Sequence, residues 1–343
     1  MVRLLVVRSA FPALLLALLG AAYLTPAMFP ASGRSPEGIH VAGGRLVESG
    51  GEPLVLRGVN HGYAFGPGPA SVFDDIRATG ANAVRVALSS GHEWPATRPA
   101  AVAGIVQRCK DARLICVLDV HDTMGYGAQP GAASIAEAAD YWLTLRDVLR
   151  RQEPYVVLNL ANEPSGHAVS IDWVGATAAA IARLRAAGFG HAIMVDAPNW
   201  GNDAFRVMYD HAATVFASDP IRNVVFDVHM YGPFDTADKV SGYLGHFVAQ
   251  RLPIVVGEFS SLHEYGDPDE DAIMAYCQEY GLGYLGWAWS GNSPQYHYLD
   301  VVSDFHPQRL TAWGHRLVDG PDGLRATARP AAVYGRLWLA AAR

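Results

Sequence analysis

Cysteine is scarce in this chain of 343 residues: Cys109, Cys116 and Cys277 are the whole complement, and no two of them form a CxxC pair. So small and odd a number excludes a disulfide-stapled scaffold, and the spacing offers no zinc site. Cys116 falls inside the apolar run LICVLDV, where a small thiol packs as a hydrophobe. Lysine is scarcer still, with Lys110 and Lys239 alone, and no basic block occurs in a chain of net charge −7. Nucleic acid is thereby excluded as a partner, because its phosphates must be neutralised by clustered Lys and Arg. The chain also lacks a GxGxxG after its first apolar run and a phosphate-binding P-loop. Charged residues are 17% against 50% hydrophobic ones, enough for a large core and too apolar for global disorder.

The first thirty residues stand apart. Arg3 and Arg8 precede a charge-free apolar stretch, the pattern of a secretory signal. The stretch from Ser9 to Pro30 is also about long enough to span a bilayer uncleaved. Residues 1–30 are therefore expected to be a signal peptide or an N-terminal membrane anchor, and 31–37 a linker. The folded part is then secreted, or anchored with its bulk outside the cell.

From residue 54 onward, short β-rich runs alternate with longer stretches of helical character. The runs are 54–60, 82–88, 114–120, 155–161, 191–197, 223–229, 253–259 and 283–289. Between them the spacing predicts helices over 71–80, 100–113, 133–152, 171–188 and 269–281, with Gly80, Gly188 and Gly281 as C-caps. Runs of nearly continuous hydrophobicity imply a parallel sheet covered on its outer side. Eight repeats close into a (β/α)8 TIM barrel, a single catalytic domain over 38–343. An open doubly wound sheet competes, but its nucleotide-binding fingerprint is missing.

In such a barrel chemistry gathers where the strands end. Those ends carry Asn60-His61, Arg85, His121-Asp122, Asn162-Glu163, Asp196, His229 with Tyr231, Glu258, and Trp287 with Trp289. One histidine there is more often a hydrogen-bonded barrel residue than a catalyst. Asp119 and Asp227, two residues before His121 and His229, fit partners that fix each ring. Two glutamates are harder to explain as packing, since each costs desolvation. Glu163 ends the fourth run and Glu258 the seventh, so nearly opposite strands aim both over one mouth. Two carboxylates across a cleft suit glycoside hydrolysis, one protonating the departing oxygen and the other attacking or stabilising the anomeric carbon. At a separation of roughly 5–5.5 Å, a covalent intermediate and retention of configuration follow. The acid must then be raised in pKa and the nucleophile kept ionised, with Arg85 and Tyr231 as its donors. Trp94, Trp200, Tyr63 and Phe65 lie in strand-end loops, where aromatic rings stack on pyranose faces. As a group they suit a long polysaccharide cleft and cleavage within the polymer.

The motifs LANEP around Glu163 and VVGEFS around Glu258 resemble the acid/base and nucleophile motifs of glycoside hydrolase family 5. LRGVNHG, ATGANAVRVALSSGHEW, VLDVHDTMGYG, MVDAPNWG, VHMYGPF and YLGWAWSGN follow in the order of its bacterial endo-β-1,4-mannanase branch, so the likeness covers roughly residues 38–318. The resemblance implies a retaining barrel enzyme with Glu163 as acid/base and Glu258 as nucleophile. It implies that Asn162 bonds the sugar 2-hydroxyl, that Arg85, His229 and Tyr231 support the pair, and that His121 lines the same subsite. Trp287 would be the aromatic floor, with Trp289 as its competitor; Trp94, Trp200 and His61 complete the substrate-binding set. The implied substrate is a polysaccharide (β-mannan, glucomannan or galactomannan), with no cofactor, no metal and a monomeric chain.

Three departures touch the subsites. Pro164-Ser165 stand where that branch has an aromatic pair, Phe65 is nearest to an expected tryptophan, and Ser260-Ser261 replace a Gly-His pair, with His263 retained. The rival readings are an endo-β-1,4-glucanase of the same family, an inactive carbohydrate-binding barrel, and a metal-dependent hydrolase built on His121, Asp122 and His229. A binder needs no charged pair at a scissile bond, and the metal reading lacks an HxH pair on the first strand.

Overall fold

Strands form at all eight of the β-rich runs, within a few residues of the bounds the sequence suggests. The computed structural model describes residues 38–167 and 171–335. The signal or anchor at 1–30, the linker at 31–37 and the last eight residues of the chain lie outside the described residues. Those described belong to one compact unit, Ser35–Arg343.

A hairpin that the periodicity did not reveal comes first, with β1 (His40–Ala42) antiparallel to β2 (Arg45–Val47). The barrel strands are β3 (Arg57–His61), β4 (Ala83–Leu88), β5 (Ile115–Val120), β6 (Val156–Asn159), β7 (Ile193–Asp196), β8 (Val224–Met230), β9 (Ile254–Phe259) and β10 (Gly283–Gly286). All pair in parallel in chain order, and β10 closes onto β3. This is the (β/α)8 barrel expected.

The predicted helices form at Val72–Ala78, Pro99–Asp111, Trp173–Ala186 and Glu270–Tyr280. Gly80, Gly188 and Gly281 follow three of them with φ of 102°, 89° and 68°, as C-cap glycines do. The stretch 133–152 is instead two helices, Ile135–Thr144 and Arg146–Leu149, separated at Leu145. Val207–Ser218 and Ala237–Ala249 are helices that the sequence reading did not name.

Residue parity sorts each strand between two cores, because successive side chains face opposite ways. Val84, Val86, Cys116, Leu118, Val156 and Leu158 face outward into the helical layer. Ala83, Ile115, Val117, Val157, Met194 and Val225 face inward and fill the lower barrel. The chain's end seals that floor: the Tyr334 hydroxyl donates to the Leu114 carbonyl at 2.7 Å, and Glu48 accepts from the backbone of Ala332 and Val333 at 2.6 and 2.7 Å. The tail thus packs on the barrel, as far as it is described.

Parity also corrects one expectation. Asn60 points inward, so His61, the next residue on β3, points outward and is fully buried. It stands edge-on to Tyr63, Phe73 and Phe305, with ring centroids 6.1, 5.8 and 6.5 Å away. His61 therefore has no face for a sugar.

Two outcomes test this architecture. A Cβ on Gly58 would lie 2.0 Å from the Ala83 carbonyl oxygen on the neighbouring strand. Gly58→Ala should therefore cost about 2–3 kcal/mol or more in thermal or denaturant unfolding, through forced separation of β3 and β4. Burial pushes the His61 imidazole down to about 4. Between its ordinary pKa and that value the unfolded chain binds the extra proton, so stability falls as pH falls through this window. His61→Phe should remove about 3 kcal/mol of the acid-induced loss between pH 7 and pH 4. Equal losses in variant and parent would contradict it.

Candidate active site

Above the apolar floor, the inward positions turn polar on six of the eight strands: Asn60, Arg85, Asp119, Asn159, Asp196 and Asp227. Register places Asn60 beside Arg85, Asp119 beside Asn159, and Asp196 beside Asp227. All are buried, so each must find a partner inside the barrel. Asn159 went unnoticed in the sequence, although counting inward from Val157 would have found it.

Arg85 is the centre of this layer. Its Nη1 lies 2.6 Å from Glu258 Oε1 and 3.2 Å from Asp119 Oδ2, and donates to Asn60 Oδ1 at 2.9 Å. Nε donates to Asn159 Oδ1 and Nη2 to Asn162 Oδ1, both at 2.6 Å, with Asp196 Oδ2 3.4 Å from Nη2. Burial lowers the guanidinium pKa, but Asp119, Glu258 and Asp196 more than offset this, so the charge is permanent. Because Asn162 spends its oxygen on Arg85, its buried Nδ2 amide is left without a partner among the described residues.

Glu258 ends β9 at a register shift that sets it beside His229. Its Oε2 accepts from the Tyr231 hydroxyl at 3.0 Å, and the Tyr231 ring stacks on His263 with centroids 4.3 Å apart. His263 was noted only as a retained residue; its work here is to brace that tyrosine. Burial, reinforced by Glu258, holds the Tyr231 hydroxyl well above its ordinary pKa, so it remains a donor.

Glu163 follows β6 with φ of 44°, a conformation that L residues rarely adopt. Its Oε1 lies 2.8 Å from His229 Nδ1, and its backbone N–H donates to Asp196 Oδ2 at 3.1 Å. One oxygen of Glu163 and one of Glu258 lie within 4.8 Å of each other and of a His229 nitrogen. The two carboxyls separate in pKa, but in the opposite sense to the one expected. Burial, the largest influence, would raise Glu163, but the His229 hydrogen bond together with the charges of His229, His121 and Arg85 outweighs it and holds the group below its ordinary value. Glu258 is raised by burial, against the attraction of His229 and Arg85. His229 itself, though burial lowers it, is raised well above normal by the surrounding carboxylates.

The aromatic residues divide. Trp287 stacks on His121, with centroids 5.2 Å apart and planes 8° from parallel, and donates from Nε1 to Asn292 Oδ1 at 3.1 Å. Phe65 and half-buried Trp94 join them, with centroids 5.2 Å apart. His121 Nδ1 is 3.3 Å from Asp119, and that carboxylate raises its pKa against the opposing effect of burial. Trp289 is the correction here: it is fully buried among the outer core residues, so it cannot compete for a sugar. Trp200 sits across the mouth, its N–H bonded to the Ser165 carbonyl at 2.7 Å and its ring against Gly125. Ser165, in the segment that departs from the family pattern, also accepts from the Asn199 N–H at 3.0 Å.

Asp122 does not join His121 and His229. Its carboxylate is taken by the 89–92 loop, accepting from the Ser89 hydroxyl at 2.8 Å and from the Ser90, Gly91 and His92 N–H groups at 3.0, 3.1 and 2.9 Å. The metal trio suggested by the sequence is therefore not assembled.

The profile described as cellulase (glycosyl hydrolase family 5) matches residues 47–293. A mannan endo-1,4-β-mannosidase of Streptomyces lividans is 52% identical over 310 residues, 89% of this chain and 81% of that protein. The solved β-mannanase of Thermomonospora fusca is 47% identical and superposes with a TM-score of 0.85, over 87% of this chain and 99% of that one. The same T. fusca enzyme in its mannohexaose complex superposes at 0.84, with the same identity and coverage. With two buried glutamates after the fourth and seventh barrel strands, and a family match across most of its length, the chain belongs to family 5 of the glycosyl hydrolases.

Proposed function

We propose that this protein is a retaining endo-β-1,4-mannanase, monomeric and exported, that cleaves internal bonds of mannan-type polysaccharides. The observation that carries the mechanism is the pair Glu163 and Glu258, with carboxylate oxygens within 4.8 Å across a shared imidazole. So short a gap leaves no room for a water between sugar and base, and suits direct attack by one carboxylate. The choice of mannan rests on the relatives, which are named for that substrate at about half identity.

In the first step Glu258 attacks the anomeric carbon, held in line by Arg85 and Tyr231. The glycosidic C–O bond breaks, and the departing oxygen takes a proton from Glu163. His229 Nδ1, 2.8 Å from Glu163, supplies that proton and takes back the one Glu163 gains from water in the second step. In the second step the Glu163 carboxylate removes a proton from water, which attacks the anomeric carbon and releases Glu258. The unpartnered Asn162 amide is free to bond the sugar 2-hydroxyl, where charge develops in the transition state. Trp287 lies under the sugar face as an apolar platform. Export fits the substrate, since a polymer cannot enter a cell, and fits Arg3 and Arg8 ahead of the apolar stretch at the N-terminus.

Product release should be followed on linear mannan, galactomannan, glucomannan and carboxymethylcellulose, with the anomer of the first product read by NMR. Mannans should be cleaved internally with the β-anomer formed first. Glu258→Ala should abolish release, and Glu163→Ala should lower it by about 10²–10⁴-fold. Cleavage of carboxymethylcellulose alone would keep the mechanism and make the enzyme a glucanase. Binding without turnover would leave a sugar-binding barrel.

A further inference from the structure

Asp196 ends β7 fully buried, and no step above uses it. Its two oxygens meet three donors and one imidazole nitrogen. Oδ1 accepts a close hydrogen bond from the Asn159 amide. Oδ2 accepts from the Glu163 N–H at 3.1 Å and lies 3.4 Å from both Arg85 Nη2 and His229 Nε2. A carboxylate suits this setting because it offers acceptors on both oxygens, whereas the isosteric amide must turn a donor toward one of these groups.

The Glu163 contact is the informative one. At φ of 44° this residue holds a backbone conformation that costs of order 1–3 kcal/mol and persists only where its surroundings impose it. Its peptide is gripped on both sides: the carbonyl accepts from the Gly125 N–H at 2.9 Å, and the N–H donates to Asp196. The same Asp196 oxygen faces the far nitrogen of the imidazole whose near nitrogen meets Glu163. Asp227 is the other carboxylate on that side, 3.8 Å from His229 Nε2.

We propose that Asp196 is a positioning residue for the acid/base step, fixing Glu163 through its peptide N–H and His229 through Nε2. This rests on the reading of Glu163 as the acid/base. Asp196→Asn keeps the shape but turns a donor toward either Asn159 or Glu163. The double swap Asn159→Asp with Asp196→Asn restores the pairing: the new amide donates to position 159, its oxygen still accepts from Glu163, and position 159 still accepts from Arg85 Nε.

The test compares kcat/KM for mannotetraose and for 2,4-dinitrophenyl β-mannobioside, whose leaving group departs without a proton. Glu163→Ala serves as the control. In Asp196→Asn the mannotetraose value should fall about 10–100-fold and the dinitrophenyl value by less than about threefold, as for a displaced acid. The swap should recover at least about tenfold of the loss. Equal losses on both substrates, or a folded swap variant no better than the single one, would overturn the proposal. Should Asp196→Asn not fold, the swap decides alone: a mannotetraose value within about tenfold of the parent supports it, and a larger selective loss refutes it. Leaving-group dependence present in Glu163→Ala but absent from Asp196→Asn removes this proposal only. Its absence from Glu163→Ala removes the acid/base reading and this proposal together.

Discussion

The buried guanidinium of Arg85 is the interaction on which the site depends. It lies on β4 and reaches side chains from β3, β5, β6, β7 and β9, including the carboxylate of Glu258. Two ions so deep in protein are costly to desolvate, and their attraction balances that cost only if every remaining donor is satisfied. Here all of the guanidinium's nitrogens face oxygen, and the amides of Asn60, Asn159 and Asn162 supply acceptors without adding charge. Removing the cation would strand three carboxylates at the barrel's centre, a loss of roughly 3–5 kcal/mol for each broken buried pair. The same bonds orient the residues that meet the sugar, so stability and chemistry share one network.

Above that layer, strained backbone brings the reacting groups into position. Glu163 has φ of 44°, and Asn199, Trp200 and Gly201 follow one another at 60°, 57° and 66°. Gly201 is needed for a second reason: a Cβ there would lie 2.5 Å from His229 Nδ1, the nitrogen that meets Glu163. The loop after β7 therefore rests directly on the imidazole, and Ser165 ties it to the loop after β6. Ser165, in the segment that departs from the family pattern, thus helps to mount the Trp200 loop.

The histidine between the glutamates gives the ligand-free site its proton inventory. His229 is held cationic by the carboxylates around it, and this lowers Glu163. Beneath it, burial and the neighbouring Asp227 push Asp196 up to about 7. The more basic group, His229, thus lies one hydrogen bond away from Glu163. An acid with a permanently raised pKa is the simpler arrangement, and it is the one a motif alone suggests.

The sequence by itself determined the barrel and the reacting pair. Eight apolar runs closed by polar residues dictate strand, order and mouth, because periodicity and buried charge are local signals. Glu163, Glu258, Arg85 and Tyr231 are legible for that reason, and the structure brings all four together, with the two carboxyl shifts in the opposite sense to the one expected. Only the tertiary structure decided the rest. His61 and Trp289 look like mouth residues on the chain, yet both are buried in the outer core, His61 because adjacent residues on a strand face opposite ways. Asp122 sits beside His121 in the chain but spends its carboxylate on a loop thirty or so residues earlier. The direction of the Glu163 and Glu258 shifts, and the convergence of three donors and the His229 ring on Asp196, depend on distances between strands far apart in sequence. Electrostatic energy is set by separation in space and by exclusion of water, and neither is written in the order of residues.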